Sequence, residues 1–80
     1  MSRRKARNRD AELFGALVRQ LRTDRGLTQE ALAERTELSV SYIGFIERGE
    51  NVPTLTIVLN LADALKVDAA DLIREVSRNR

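Results

Sequence analysis

The stretch TQEALAERTELSVSYIGFIERG, from Thr28 to Gly49, decides how the rest of the chain is read. Thr28 can cap a helix by accepting a hydrogen bond from one of its first free N–H groups, and Ala31, Leu32 and Ala33 carry a segment of about two turns that ends near Thr36. Ser39 is a second cap. It starts a helix from Val40 to Arg48 that stops at Gly49, a residue suited to the left-handed backbone that closes helices. Only Glu37 and Leu38 remain to join the two, which leaves room for a tight turn and nothing more. At roughly 100° per residue, Ile43 and Ile46 share one side of the second segment, with Tyr42 at its border and Glu47 toward the other edge. The opposite arc collects Val40, Ser41, Gly44, Phe45 and Arg48, a mixture that reads as a contact surface rather than a face turned to water.

Working outward, Asp10 is a cap candidate for a first helix whose Leu13, Phe14, Leu17, Val18 and Leu21 recur at helical spacing until Gly26. Downstream, Glu50 to Pro53 form a loop. Thr54 caps a fourth helix through Leu65 and Lys66, and Asp68 caps a fifth through about Val76. The expectation is an all-α domain of five helices over residues 10–76, flanked by a flexible basic arm (1–9) and a flexible tail (77–80). On the fourth helix Leu55, Val58, Ala62 and Leu65 form the expected core stripe, while Ile57 and Ala64 lie opposite with Leu61 between them. Ile57, Leu61 and Ile73 are therefore candidates for a two-fold contact between subunits, with internal packing as the alternative.

Eighty residues suffice for one such domain and not for two. Cysteine and histidine are both absent, which removes disulfides, thiol nucleophiles, the commonest zinc ligands and the usual proton shuttle near neutral pH. No enzyme, metal or cofactor is expected. Nothing approaches the ~20 apolar residues of a spanning helix, so a cytoplasmic protein with no membrane association is expected. Formal charge is +2, but its distribution matters more: residues 1–9 hold five basic side chains and no acid, while residues 10–80 hold nine basic against twelve acidic ones. Such an arm fits a nucleic-acid contact, a membrane-surface anchor or merely a solvated terminus, the last as readily as the other two together.

Two short helices across a tight turn make a helix-turn-helix unit, whose second helix can enter the major groove of double-stranded DNA. On that reading Ser41 bonds to a base edge or phosphate, and Val40 or Phe45 touches a thymine methyl. Arg48 pairs with a phosphate or reaches a guanine. Phe45 covering the protein's own loop is the competing possibility. Gln29 and Ser39, at the starts of the two helices, are placed to meet phosphate oxygens.

The blocks Leu27 to Glu34, Ser41 to Gly49, Pro53, and Leu61 to Leu65 together resemble the XRE-like, lambda-repressor-like helix-turn-helix family over about residues 13–73. The resemblance implies a five-helix domain that binds operator DNA as a homodimer and regulates transcription. It implies base-facing positions at Val40, Ser41 and Phe45, with Ser39 and Tyr42 beside them, and phosphate contacts at Gln29, Arg48 and Asn51. It also implies an interior ion pair between Arg22 and Glu47 that holds the recognition helix. Two departures stand out. Glu37 occupies a turn position often filled by glycine, and Val40 and Ser41 replace the long polar side chains that commonly read bases there. The apolar character of Val40 and Phe45 on an acidic body leaves a second possibility, a scaffold that binds a protein partner.

Overall fold

A computed structural model describes residues 8–80. The described chain forms five helices: α1 (Arg9–Asp24), α2 (Gln29–Thr36), α3 (Val40–Glu47), α4 (Leu55–Leu65) and α5 (Ala69–Asn79). Each begins where a short polar side chain takes an otherwise unpaired backbone donor: Asn8, Thr28, Ser39, Thr54 and Asp68 accept from Ala11, Ala31, Tyr42, Ile57 and Ala70. Four of these caps match the sequence expectation. The first does not, because the Asn8 carboxamide captures the Ala11 N–H at 2.9 Å and helix one starts before Asp10, which falls in the first turn where its charge complements the helix dipole. Residues 1–7, most of the expected basic arm, lie outside the described residues.

The helix ends are equally local in origin. Gly26 (φ 69°) follows α1 and Gly49 (φ 73°) follows α3. After α2 the same left-handed backbone falls on Glu37, at φ 62°, and the Leu38 N–H then donates to the Ala33 carbonyl at 3.2 Å. A side chain in this conformation costs about 1 kcal/mol or more. What holds it is visible nearby: Thr36 is buried with its hydroxyl donating to the Leu32 carbonyl, and the Asn60 carboxamide of α4 donates to the Thr36 carbonyl at 3.0 Å. The turn is thus tied to the body of the domain.

The core is drawn from every helix: Phe14 and Val18 from α1, Leu32 and Ala33 from α2, Ile43 and Ile46 from α3, Val58, Leu61, Ala62 and Leu65 from α4, and Leu72 from α5. Two residues on α4 depart from expectation. Leu61, anticipated at a subunit contact, is 0% exposed, because 58, 61, 62 and 65 form the buried i, i+3, i+4, i+7 stripe. Leu55, anticipated in the core, is 72% exposed at the open first turn of α4. Helix α5 also outruns the expected end near Val76. Its last turn is held by the Asn79 side chain on the Glu75 carbonyl (2.8 Å), while Arg80 pairs with Asp10 (2.9 Å) and Arg9 donates to the Asn79 carbonyl (3.4 Å), so the end of α5 rests on the start of α1.

Helix α1 packs chiefly on α3 and α5. Gly15 makes the α1–α3 approach possible: a Cβ there would run into the Ile46 carbonyl oxygen and lie 2.9 Å from that of Glu47. The helix that offers the contact surface is therefore seated main chain against main chain.

Candidate nucleic-acid interface

On its inward side α3 is fastened by a charged clasp. Glu47 takes the Arg22 guanidinium in a two-pronged pair, Nε to Oε2 at 2.6 Å and Nη2 to Oε1 at 3.1 Å, with side-chain exposures of 11% for the arginine and 3% for the glutamate. The third guanidinium nitrogen, Nη1, donates to the Leu27 carbonyl at 2.7 Å, in the loop that leads into α2. Gln29 completes the arrangement, its Nε2 donating to Glu47 Oε1 at 3.0 Å. Among the described residues no buried side-chain polar atom lacks a hydrogen-bond partner. A buried pair this well satisfied fixes orientation more than it adds stability, yet removing one member leaves an uncompensated charge at a cost of about 3–5 kcal/mol. The clasp joins α1, α2 and α3 at one point.

Spacing alone does not anticipate the role of Gln29 in this clasp. Expected at a phosphate, it has one of its amide hydrogens already committed to Glu47. Sequence reasoning misses Arg19 altogether. Three residues before Arg22 on α1, it lines, with Thr28, Gln29, Glu30, Glu47 and Arg48, a polar hollow of about 470 Å³ between α1, α2 and α3. The signal that could find it is its position one helical turn from a residue already assigned inward.

Outward, α3 presents Val40 (38% exposed), Ser41 and Phe45 (44% exposed), with Arg48 at its C-terminal cap. The Arg48 guanidinium lies 5.4 Å from the centre of the Phe45 ring and 3.2 Å from the Glu50 carboxylate. Both interactions are half-exposed and individually weak. Gly44, expected in the open on this face, is instead buried: an added Cβ would stand 3.0 Å from an Arg48 guanidinium nitrogen, so the arginine lies across the strip the glycine leaves bare. Ser39 is exposed, its hydroxyl occupied by the Tyr42 N–H at 3.0 Å. Tyr42 is only partly exposed, and its hydroxyl donates to Asn51 Oδ1 at 2.9 Å, which links α3 to the loop before α4. Val40, Ser41, Phe45 and Arg48 thus share the open face. Tyr42 and Asn51 are paired at its edge, and Gln29 lies beneath it.

A second apolar feature lies away from α3. Ile73, 51% exposed, borders a shallow groove of about 150 Å³ lined also by Val52, Pro53, Val58, Val76 and Phe14. Ile57 is partly buried against the core. Among the described residues there is no cluster of carboxylates that could hold a metal ion, and no helix is long and apolar enough to cross a membrane.

A helix-turn-helix domain model matches residues 13–75, covering both helices of the unit, all of α4 and most of α1 and α5. The HTH-type transcriptional regulator YazB of Bacillus subtilis is 40% identical over 63 residues, which span 79% of this chain and 91% of YazB. In RamB of Mycobacterium tuberculosis the match is 42% over 55 residues, 69% of this chain but only 12% of that much longer regulator. Among solved structures, the restriction-modification controller protein C.AhdI from Aeromonas hydrophila superposes with a TM-score of 0.78 at 42% identity, over 81% of this chain and 98% of its own. The clp gene regulator ClgR from C. glutamicum gives 0.81 at 30%, over 88% and 91%. Fold and relatives alike are those of regulators rather than enzymes. With its capped α2–turn–α3 unit, its clasped inner face and its open outer one, the chain belongs to the XRE-like, lambda-repressor-like family of helix-turn-helix transcriptional regulators.

Proposed function

We propose that this regulator acts in the cytoplasm as a homodimer on a roughly palindromic DNA operator, with α3 of each subunit in the major groove. The observation that carries the reading is the contrast on α3: its inner side is held by the Gly15 approach and the Glu47 clasp, while Val40, Ser41 and Phe45 are open on the outer side. Those three face base edges, with Ser39 and Tyr42 beside them. Arg48, the remaining amide hydrogen of Gln29 and the amino end of Asn51 meet phosphates, and Arg19 adds positive charge at the same rim. Two copies pair through the exposed apolar surface at Ile73 and Val52, which border one groove, while Ile57 is partly buried against the core. Such a site requires the two recognition helices to lie about 34 Å apart, one turn of the duplex.

Selection of duplexes from random DNA, followed by fluorescence anisotropy over a salt series, tests this. The expected result is a symmetric site whose affinity falls steeply with salt, and Arg48→Ala is expected to reduce the logarithmic salt slope by about 0.9 for each phosphate that the arginine neutralises. Failure to enrich any sequence, or binding to a protein partner that is indifferent to salt, would overturn it. Ile73→Asp, at an exposed position, is expected to leave the fold intact and shift the sedimenting species to monomer.

A further inference from the structure

The outer face of α3 is poor in hydrogen-bonding side chains at the positions nearest to base edges. Val40 and Phe45 have none to offer, and Ser41 has a hydroxyl that both donates and accepts and so discriminates little between bases. Gly44 between them contributes no side chain, and the space over it is taken by Arg48. The guanidinium of Arg48 is drawn toward the Phe45 ring and the Glu50 carboxylate rather than standing clear of the helix for two-pronged pairing with a guanine. What remains exposed is apolar surface at the two edges of the face: Val40 and Phe45 lie about 140° apart around the axis and about 7.5 Å along it. In the major groove only one base feature is both apolar and sequence-dependent, the C5-methyl group of thymine. Cytosine presents the same methyl group when it is methylated at C5.

We infer that Val40 and Phe45 read pyrimidine C5-methyl groups, so that this protein recognises its operator through methyls more than through hydrogen bonds and responds to 5-methylcytosine as it does to thymine. The inference rests on the DNA-binding reading above and specifies what that site recognises. Burying one methyl group is worth about a fourfold change in affinity, or about sixteenfold when both halves of a symmetric site are changed together.

The test uses the duplex enriched from random DNA and compares pairs of duplexes differing by one methyl at one position. Each thymine is replaced in turn by deoxyuridine, and at every sensitive position 5-methylcytosine·guanine is compared with cytosine·guanine. The full chain and its Val40→Ser and Phe45→Ser variants are measured side by side. Both residues are surface-exposed, and thermal melting by circular dichroism verifies that the variants fold. The expected result is a loss of about fourfold at two or more thymines, a matching gain from methylated over plain cytosine there, and disappearance of both ratios at some of these positions in the Val40→Ser variant and at others in the Phe45→Ser variant. Equal binding of every thymine and uracil duplex, or methyl ratios that persist in both variants, would overturn methyl reading while leaving DNA binding intact. Failure to enrich any duplex would overturn the DNA-binding reading, and this inference with it.

Discussion

The two sides of α3 each carry an exception to the usual distribution of polarity. Its buried side carries, beside Ile43 and Ile46, a carboxylate that meets a guanidinium and a carboxamide, whereas its exposed side carries, beside Ser41 and Arg48, a valine and a phenylalanine. On the inner side the charges matter because they are directional. Three hydrogen bonds to Glu47 from two other helices define where α3 points, which an apolar contact of similar size would define less sharply. On the outer side, Val40 and Phe45 leave apolar atoms in water beside Ser41 and Arg48, a surface without the directional bonds of the inner one. Burial and polarity therefore have to be read separately on this helix.

The contrast breaks most severely at its charged side. Glu47→Ala is expected to cost about 3–5 kcal/mol in thermal or urea unfolding, a large fraction of the stability of a domain this small. Replacing both members, Arg22→Met with Glu47→Leu, is expected to restore most of that stability, because the penalty lies in the stranded charge. Next comes Gly15→Ala, expected to destabilise by about 3 kcal/mol in the same assay, because the new methyl meets backbone of α3 that cannot rotate away. Glu37→Gly is expected to act in the opposite direction and raise stability by about 1 kcal/mol, as it relieves a left-handed backbone at φ 62°. The smallest effect belongs to the outer side, where Phe45→Ser is expected to change stability by no more than about 0.5 kcal/mol even as it alters what is bound. A Phe45 variant that melted as early as the Glu47 one would erase the distinction between the two sides.

Much of the fold is legible in the sequence because its punctuation is local. Thr28, Ser39, Thr54 and Asp68 announce helix starts through side chains that reach only two or three residues ahead. The inward placement of Ile43 and Ile46 follows from angular spacing alone. The remainder depends on distant parts of the chain. A helical wheel places Leu55 on the core side by angle but cannot show that cover ends before the first turn of α4. It misplaces Leu61 because the buried stripe is centred on 58, 61, 62 and 65, a choice that depends on where the other helices pack. It likewise treats Gly44 as open, since the arginine that covers it starts from the next turn and folds back. Gln29 belongs near the expected surface, but its bond to Glu47 joins residues 18 apart in sequence and has no local signature.

The contact between Arg80 and Asp10, with Arg9 reaching the carbonyl of Asn79, carries an engineering consequence. Because the first and last helical turns touch, a short linker could make the backbone continuous between them, and new termini could be opened at the exposed Lys66 turn between α4 and α5. Such a circularly permuted molecule would keep every helix–helix contact and display α3 unchanged, while any fused reporter would be carried at a different pole.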